Sequence, residues 1–211
     1  MALWKVMYAD WQMECCGEPF AVGDEVAWPL LVDGDRPDDA AWAADLSVIE
    51  GPVVALDAVE GDWSEDDGAD AADGADGADG ADGNDGDGGD EFEEPWEPSV
   101  VRAHGVTVPW NRPPPWPERA RLTGLLTVER HGGRWPHTVG RVRALHVVTQ
   151  GFAETVKGSK TYAPVPGERW LRSVEACPQW FRHEELPRKR KGPGYQRQET
   201  GVLVELDVRE T

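Results

Sequence analysis

A run of acidic triplets splits this chain and limits what can fold more than any other feature. Residues 60–97 hold seventeen Asp and Glu and no Lys or Arg. Ala72 to Gly83 is four consecutive copies of Ala-Asp-Gly, followed by Asn-Asp-Gly-Asp-Gly-Gly-Asp. Such a stretch has too little apolar area to offset its ordering entropy, so residues 61–97 are expected to form a disordered acidic insert. The triplets contain no Pro, which excludes collagen. A calcium loop begun at Asp82 or Asp85 meets Gly86 or Gly89 where a ligand is required, which excludes an EF-hand. The net charge of the chain is -19, and the insert accounts for all but about two of those charges. The acidity therefore belongs to one segment and not to the folded surface.

The flanks, 1–60 and 98–211, are expected to form two parts of one β domain of roughly 175 residues, enough for a sizeable core. Eleven Trp residues call for a packed, aromatic-rich interior. Strand signals recur along both flanks. They include Leu3 to Ala9, Asp24 to Val32 with a bend or edge at Pro29, and Ser47 to Glu60 with a break at Gly51-Pro52. A turn or two of helix is expected after Asp38 or Asp39, and another after Cys177-Pro178. Two strand runs on either side of His131-Gly132-Gly133 suggest a hairpin, and Asn111 to Pro117 suggests a stiff loop whose Trp110 and Trp116 pack on the core. Val202, Val204, Leu206 and Val208 alternate with Leu203, Glu205, Asp207 and Arg209, the pattern of a half-buried strand expected to close the sheet. The fold class is mostly β: a small antiparallel barrel or two packed sheets, with one or two short helices, interrupted by the acidic loop.

No stretch reaches the ~18 apolar residues of a membrane span, and the amino terminus lacks the form of a signal peptide. Three cysteines suit free thiols in a reducing cytoplasm better than a disulfide framework. No Ser lies in G-x-S-x-G, the Gly-Ser-Lys-Thr at 158–161 fails the spacing of a phosphate loop, and H-E-x-x-H does not occur. The reading leans away from an enzyme.

Two features remain. Cys15 and Cys16 precede Gly17. In extended backbone adjacent side chains point to opposite faces, so the expected arrangement is one thiol in the core and the other in a turn. A zinc site using Cys15, Cys16 and perhaps Cys177 with one of five His is the alternative. The second feature is basic: Arg188, Lys189, Arg190 and Lys191 are contiguous, and Tyr195 and Arg197 follow. Basic residues around an aromatic can grip phosphates and stack a base, so a protein or nucleic-acid partner is expected there.

Trp11-Gln12, Cys15-Cys16-Gly17, Pro19-Phe20, Val22-Gly23-Asp24 and Trp28 resemble the amino-terminal signature of a family of small actinobacterial proteins of unknown function. The stretches Thr138 to Phe152 and Pro164 to Phe181 are similar to the carboxy-terminal half of that family. The resemblance implies a cytoplasmic protein and carries over no catalytic residue. The combined expectation is a non-catalytic binding or adaptor module without a cofactor, contacting its partner through the basic loop. A metal-binding or thiol-dependent protein is the alternative.

Overall fold

The computed structural model describes residues 2–34, 41–56, 98–132, 134–186 and 194–209. The expected acidic insert, the Asp38 or Asp39 cap and Arg188 to Lys191 lie outside these residues. Eleven strands and one helix are found among the described residues. The strands are β1 (Ala2–Ala9), β2 (Glu25–Trp28), β3 (Leu30–Asp33), β4 (Ser47–Ala55), β5 (Ser99–Ala103), β6 (Val106–Pro109), β7 (Arg119–Val128), β8 (Thr138–Glu154), β9 (Tyr162–Val174), β10 (His183–Leu186) and β11 (Tyr195–Val208). Helix α1 is Asp10–Cys16. They form one strongly curled half-barrel sheet in the order β2-β8-β11-β1-β7-β4-β5-β6, with β9 added to β8, β10 to β11 and β3 to β7.

Proline marks the corners. The run predicted from Asp24 to Val32 breaks at Pro29, which has no N–H to give a ladder. β2 before it pairs with β8, and β3 after it pairs with β7. At Gly51-Pro52 the strand continues but changes partner, pairing with β7 through Pro52 and with β5 from Val53. β4 and β5, which flank 57–97 in sequence, are thus hydrogen-bonded neighbours. Pro164 lies on β9, a strand that among the described residues pairs with β8 alone, where a missing donor is tolerated.

Three expectations change. β11 does not close the sheet: it lies in the middle, antiparallel to both β8 and β1, because its apolar residues serve both faces. Val202, Val204, Leu206 and Val208 enter the main core with Val6, Tyr8, Leu126 and Val142, while Leu203 joins Met7, Leu125, Val148 and Trp42 on the other face. The His131 region is not a hairpin. β7 runs parallel to β1, while β8 and β1 both oppose β11, so β7 and β8 share a direction and residues 129–137 form a crossover. No helix follows Cys177-Pro178; β10 pairs there with β11. Trp110 and Trp116 do pack on the main core as expected.

The outer face is covered by a charged clamp. Asp45, 3 % exposed, accepts from Lys5 Nζ at 2.6 Å and also from Arg169, whose guanidinium lies 4.1 Å from the Trp42 ring centroid. Burial of the Asp45 carboxyl opposes ionisation, but the two cations hold it below the usual carboxylate range.

Cys177 is buried in the main core, and desolvation pushes its thiol up to about 12. A thiol in the unfolded chain ionises near 8.5, so the stability this neutral group contributes is complete below about pH 8.5 and is lost as pH rises toward 12. Burial also raises Tyr8, which acts in the same direction at higher pH. Urea unfolding should show a stability loss of about 3 kcal/mol from Cys177 between pH 8.5 and 11. Cys177→Ala should flatten that decline; an identical pH slope in the variant contradicts the assignment.

Candidate metal centre

Helix α1 leaves β1 without a side-chain cap at Ala9 and lasts only seven residues. A helix this short is not stable by propensity, so its neighbours must hold it. Gln198 Nε2 donates to Asp10 Oδ2 at 3.2 Å, Gln179 Nε2 to Met13 O at 3.0 Å, and Phe181 N to Glu14 Oε1 at 3.0 Å. Gly17 ends it: a Cβ there would lie 2.6 Å from Met13 Cα, so a larger residue would push the last turn open.

Gln12 is the principal anchor. It is 4 % exposed; its Nε2 donates to Val128 O at 2.9 Å, and its Oε1 accepts from Arg130 N at 3.1 Å. Bonding the carbonyl and the N–H that flank one residue is the pattern of a parallel ladder. The side-chain amide therefore extends the β1–β7 pairing beyond the end of β1. It also fixes the start of the crossover, where His131 N donates to Glu129 Oε1 at 2.7 Å.

That placement brings the two cysteines to His131. Adjacent residues on a helix are about 100° apart, not opposed as in a strand, so both thiols reach the same side. Cys15 Sγ and Cys16 Sγ are 3.0 Å apart, and His131 Nε2 is 3.4 Å from the first and 3.5 Å from the second. Both thiols also lie over Gln12 O, at 3.6 and 3.4 Å. The expected core-and-turn arrangement is not found: both cysteines are exposed, because the helix turns this face away from the core. Cys177, the third cysteine of the sequence reading, stays buried and outside this group. Trp11 stacks on the His131 ring, with centroids 5.0 Å apart and planes at 26°.

The Cys16 thiol is pushed up, first by desolvation and then by its hydrogen bond with Cys15 and that neighbour's charge; Arg130 pulls the other way. A thiol raised in this way holds its proton more tightly, and a bound cation would have to displace that proton.

Beside this group a cleft of about 750 Å³ opens between β3, the loop after β6 and the crossover. Trp11, Trp110, Trp135 and His131 line it, and Trp135 Nε1 donates to Leu30 O at 3.0 Å. Among the basic residues singled out in the sequence, Tyr195 Oη donates to Glu168 Oε2, and the Arg197 guanidinium lies 4.4 Å from the centroid of Trp170. Both are on β11, and neither belongs to the Cys15–Cys16–His131 group.

Sequence reasoning met Trp11 and Gln12 only in the amino-terminal signature and His131 only in a turn, and gave none of them a role at a site. His131 was one of five histidines with no cue to its partner, and the partner depends on the crossover. Gln12→Ala leaves Val128 O unpaired in a buried place and Arg130 N unpaired in a partly buried one, at a cost of about 1–3 kcal/mol. Thermal or urea unfolding should show that loss, and a variant as stable as wild type contradicts the anchoring role.

No helix among the described residues is long and apolar enough to cross a membrane. Comparison with curated proteins and with solved structures gives no match. A family model does match, over residues 2–208, nearly the whole described chain. The chain belongs to that family, the family of unknown function DUF6578.

Proposed function

We propose that this protein binds a soft metal ion, with zinc the first candidate, through Cys15 Sγ, Cys16 Sγ and His131 Nε2. The observation that carries this reading is the convergence of three donor atoms, from two separate elements, within 4.8 Å of one another. Two thiolates and an imidazole are a donor set that zinc takes readily. Zinc–sulfur and zinc–nitrogen bonds in tetrahedral geometry put sulfur and nitrogen about 3.5 Å apart and two sulfurs about 3.7 Å apart. The two Sγ–Nε2 distances already suit that, and the sulfurs need to separate by about 0.7 Å, within reach of a small χ1 rotation. Three protein ligands leave the fourth position to water or a ligand, as in zinc sites that do more than hold a fold.

The test is zinc competition against a chromophoric chelator. One equivalent should bind, and Cys15→Ser, Cys16→Ser and His131→Ala should each weaken binding by more than about a hundredfold, beyond the usual effect of an outer-shell change. Cys177→Ser should bind as wild type. Each thiol that must ionise adds about tenfold in affinity per pH unit below its pKa, so affinity should rise with pH. Equal affinity in wild type and all three ligand variants removes the proposal.

A second reading keeps the non-catalytic binding module, with Arg188, Lys189, Arg190 and Lys191 meeting a nucleic acid or an acidic protein beside Tyr195 and Arg197. Its support is the Trp170 ring, 40 % exposed and covered on one face by Arg197, a basic-aromatic surface on the strand that pairs with β8. Reversing Arg188 to Lys191 to Glu should abolish retention on an immobilised single-stranded oligonucleotide or polyanion at low salt; unchanged retention ends this reading. In both readings 1–60 and 98–211 act as one unit around the 61–97 insert, supported by the β4–β5 pairing across it. A cytoplasmic, actinobacterial setting belongs to the same proposal, supported by the thiols and the amino-terminal signature.

A further inference from the structure

The Trp-lined cleft has features that the metal reading does not use. Its first lobe, about 750 Å³, continues into a second of about 430 Å³, the two sharing Pro109, Trp110, Asn111, Gly132 and Trp135. Each lobe is within the range of about 300–1,000 Å³ typical of small-molecule sites. Three indoles in the walls favour a flat aromatic body, which gains from stacked or edge-on contact with such rings.

The charge at the rim supplies the second half of the argument. Arg112 lines the first lobe and Arg134 the second, and both are exposed. The Arg112 guanidinium lies 5.0 Å from the Trp110 ring centroid, which places a cation at the face of a cleft indole. Neither arginine forms an ion pair among the described residues, whereas Arg121, Arg143, Arg169 and Arg172 each have a carboxylate. Glu129, which also lines the first lobe, has one oxygen engaged by His131 N. An indole-lined cleft with two exposed guanidinium groups that form no ion pair among the described residues is complementary to a planar ring bearing a carboxylate, which an arginine fork holds through paired hydrogen bonds.

We infer that this cleft is a binding site for a small planar aromatic carboxylate, with the ring between Trp11, Trp110 and Trp135 and the carboxylate at Arg112 and Arg134. The inference does not rest on the metal reading, and its test excludes metal. The full-length protein in excess EDTA is titrated calorimetrically with 1-naphthoate and, in parallel, with the neutral 1-naphthamide. The expected result is a 1:1 isotherm for naphthoate, at least tenfold tighter than for the amide. Arg112→Ala with Arg134→Ala, both at exposed positions, should reduce naphthoate to the affinity of the amide while leaving the far-ultraviolet circular dichroism unchanged. Trp11→Ala, also at an exposed position, should weaken both ligands severalfold. Absence of saturable binding, equal affinity for acid and amide, or an Arg112→Ala/Arg134→Ala variant that binds naphthoate as wild type overturns the inference.

Discussion

Two registered pairs, Val6 with Leu126 and Met7 with Thr127, are the parallel contact on which the candidate centre depends. Neighbouring strands that run the same way must send their following segments off the same end of the sheet. β1 is followed at once by α1, and β7 by the 129–137 crossover, so Cys15 and Cys16 emerge next to His131. An antiparallel neighbour would have put the thiols and the imidazole at opposite ends. Gln12 completes the arrangement by carrying the ladder pattern on as a side chain. Its two bonds hold helix and crossover together where the backbone pairing stops.

The parallel contact is short, and the rest of the sheet keeps it in place. β1 is flanked on its other side by β11, with eight registered pairs from Ala2–Val208 to Ala9–Gly201. The first and last strands thus lie together at the centre, and around Val6, Met7 and Tyr8 and Val202, Leu203 and Val204 both of their faces are buried. Tyr8, Phe20 and Trp28 pack within 5.0–5.7 Å of one another on the inner face. Met7, Leu125 and Leu203 pack with Trp42 on the outer one. The Asp45 carboxylate ties Lys5 of β1 to Arg169 of β9 over that outer layer. Because the interior is closely packed, a change at the β1–β11 pair transmits to the helix that follows β1.

Most strands were legible because alternation and strand-forming side chains are local signals. β1 and β11 follow their patterns closely, and the breaks at Pro29 and Gly51-Pro52 fall where the chain changes partners. The misreadings have a common physical cause: they concern features set by distant contacts. Asp10–Cys16 has no capping side chain at Ala9 and too few residues for an apolar stripe; Gln179, Phe181 and Gln198 hold it helical from far along the chain. The His131 loop has the composition of a hairpin, but turn residues do not reveal that β11 and β1 lie between the strands they connect. Once the helix was read as extended, the cysteines were placed on opposite faces, and a metal site on them became the alternative reading.

The proposed centre and the indole-lined cleft share His131, on whose ring Trp11 stacks. Under the proposed reading, two thiols and one imidazole would hold a metal and leave one position for another ligand. X-ray absorption at the zinc edge, on the full chain loaded with one equivalent, tests this claim most directly. The account predicts two sulfur neighbours at about 2.3 Å and nitrogen or oxygen neighbours at about 2.0–2.1 Å. A first shell with fewer than two sulfurs, or a chain that does not retain the metal, would contradict it.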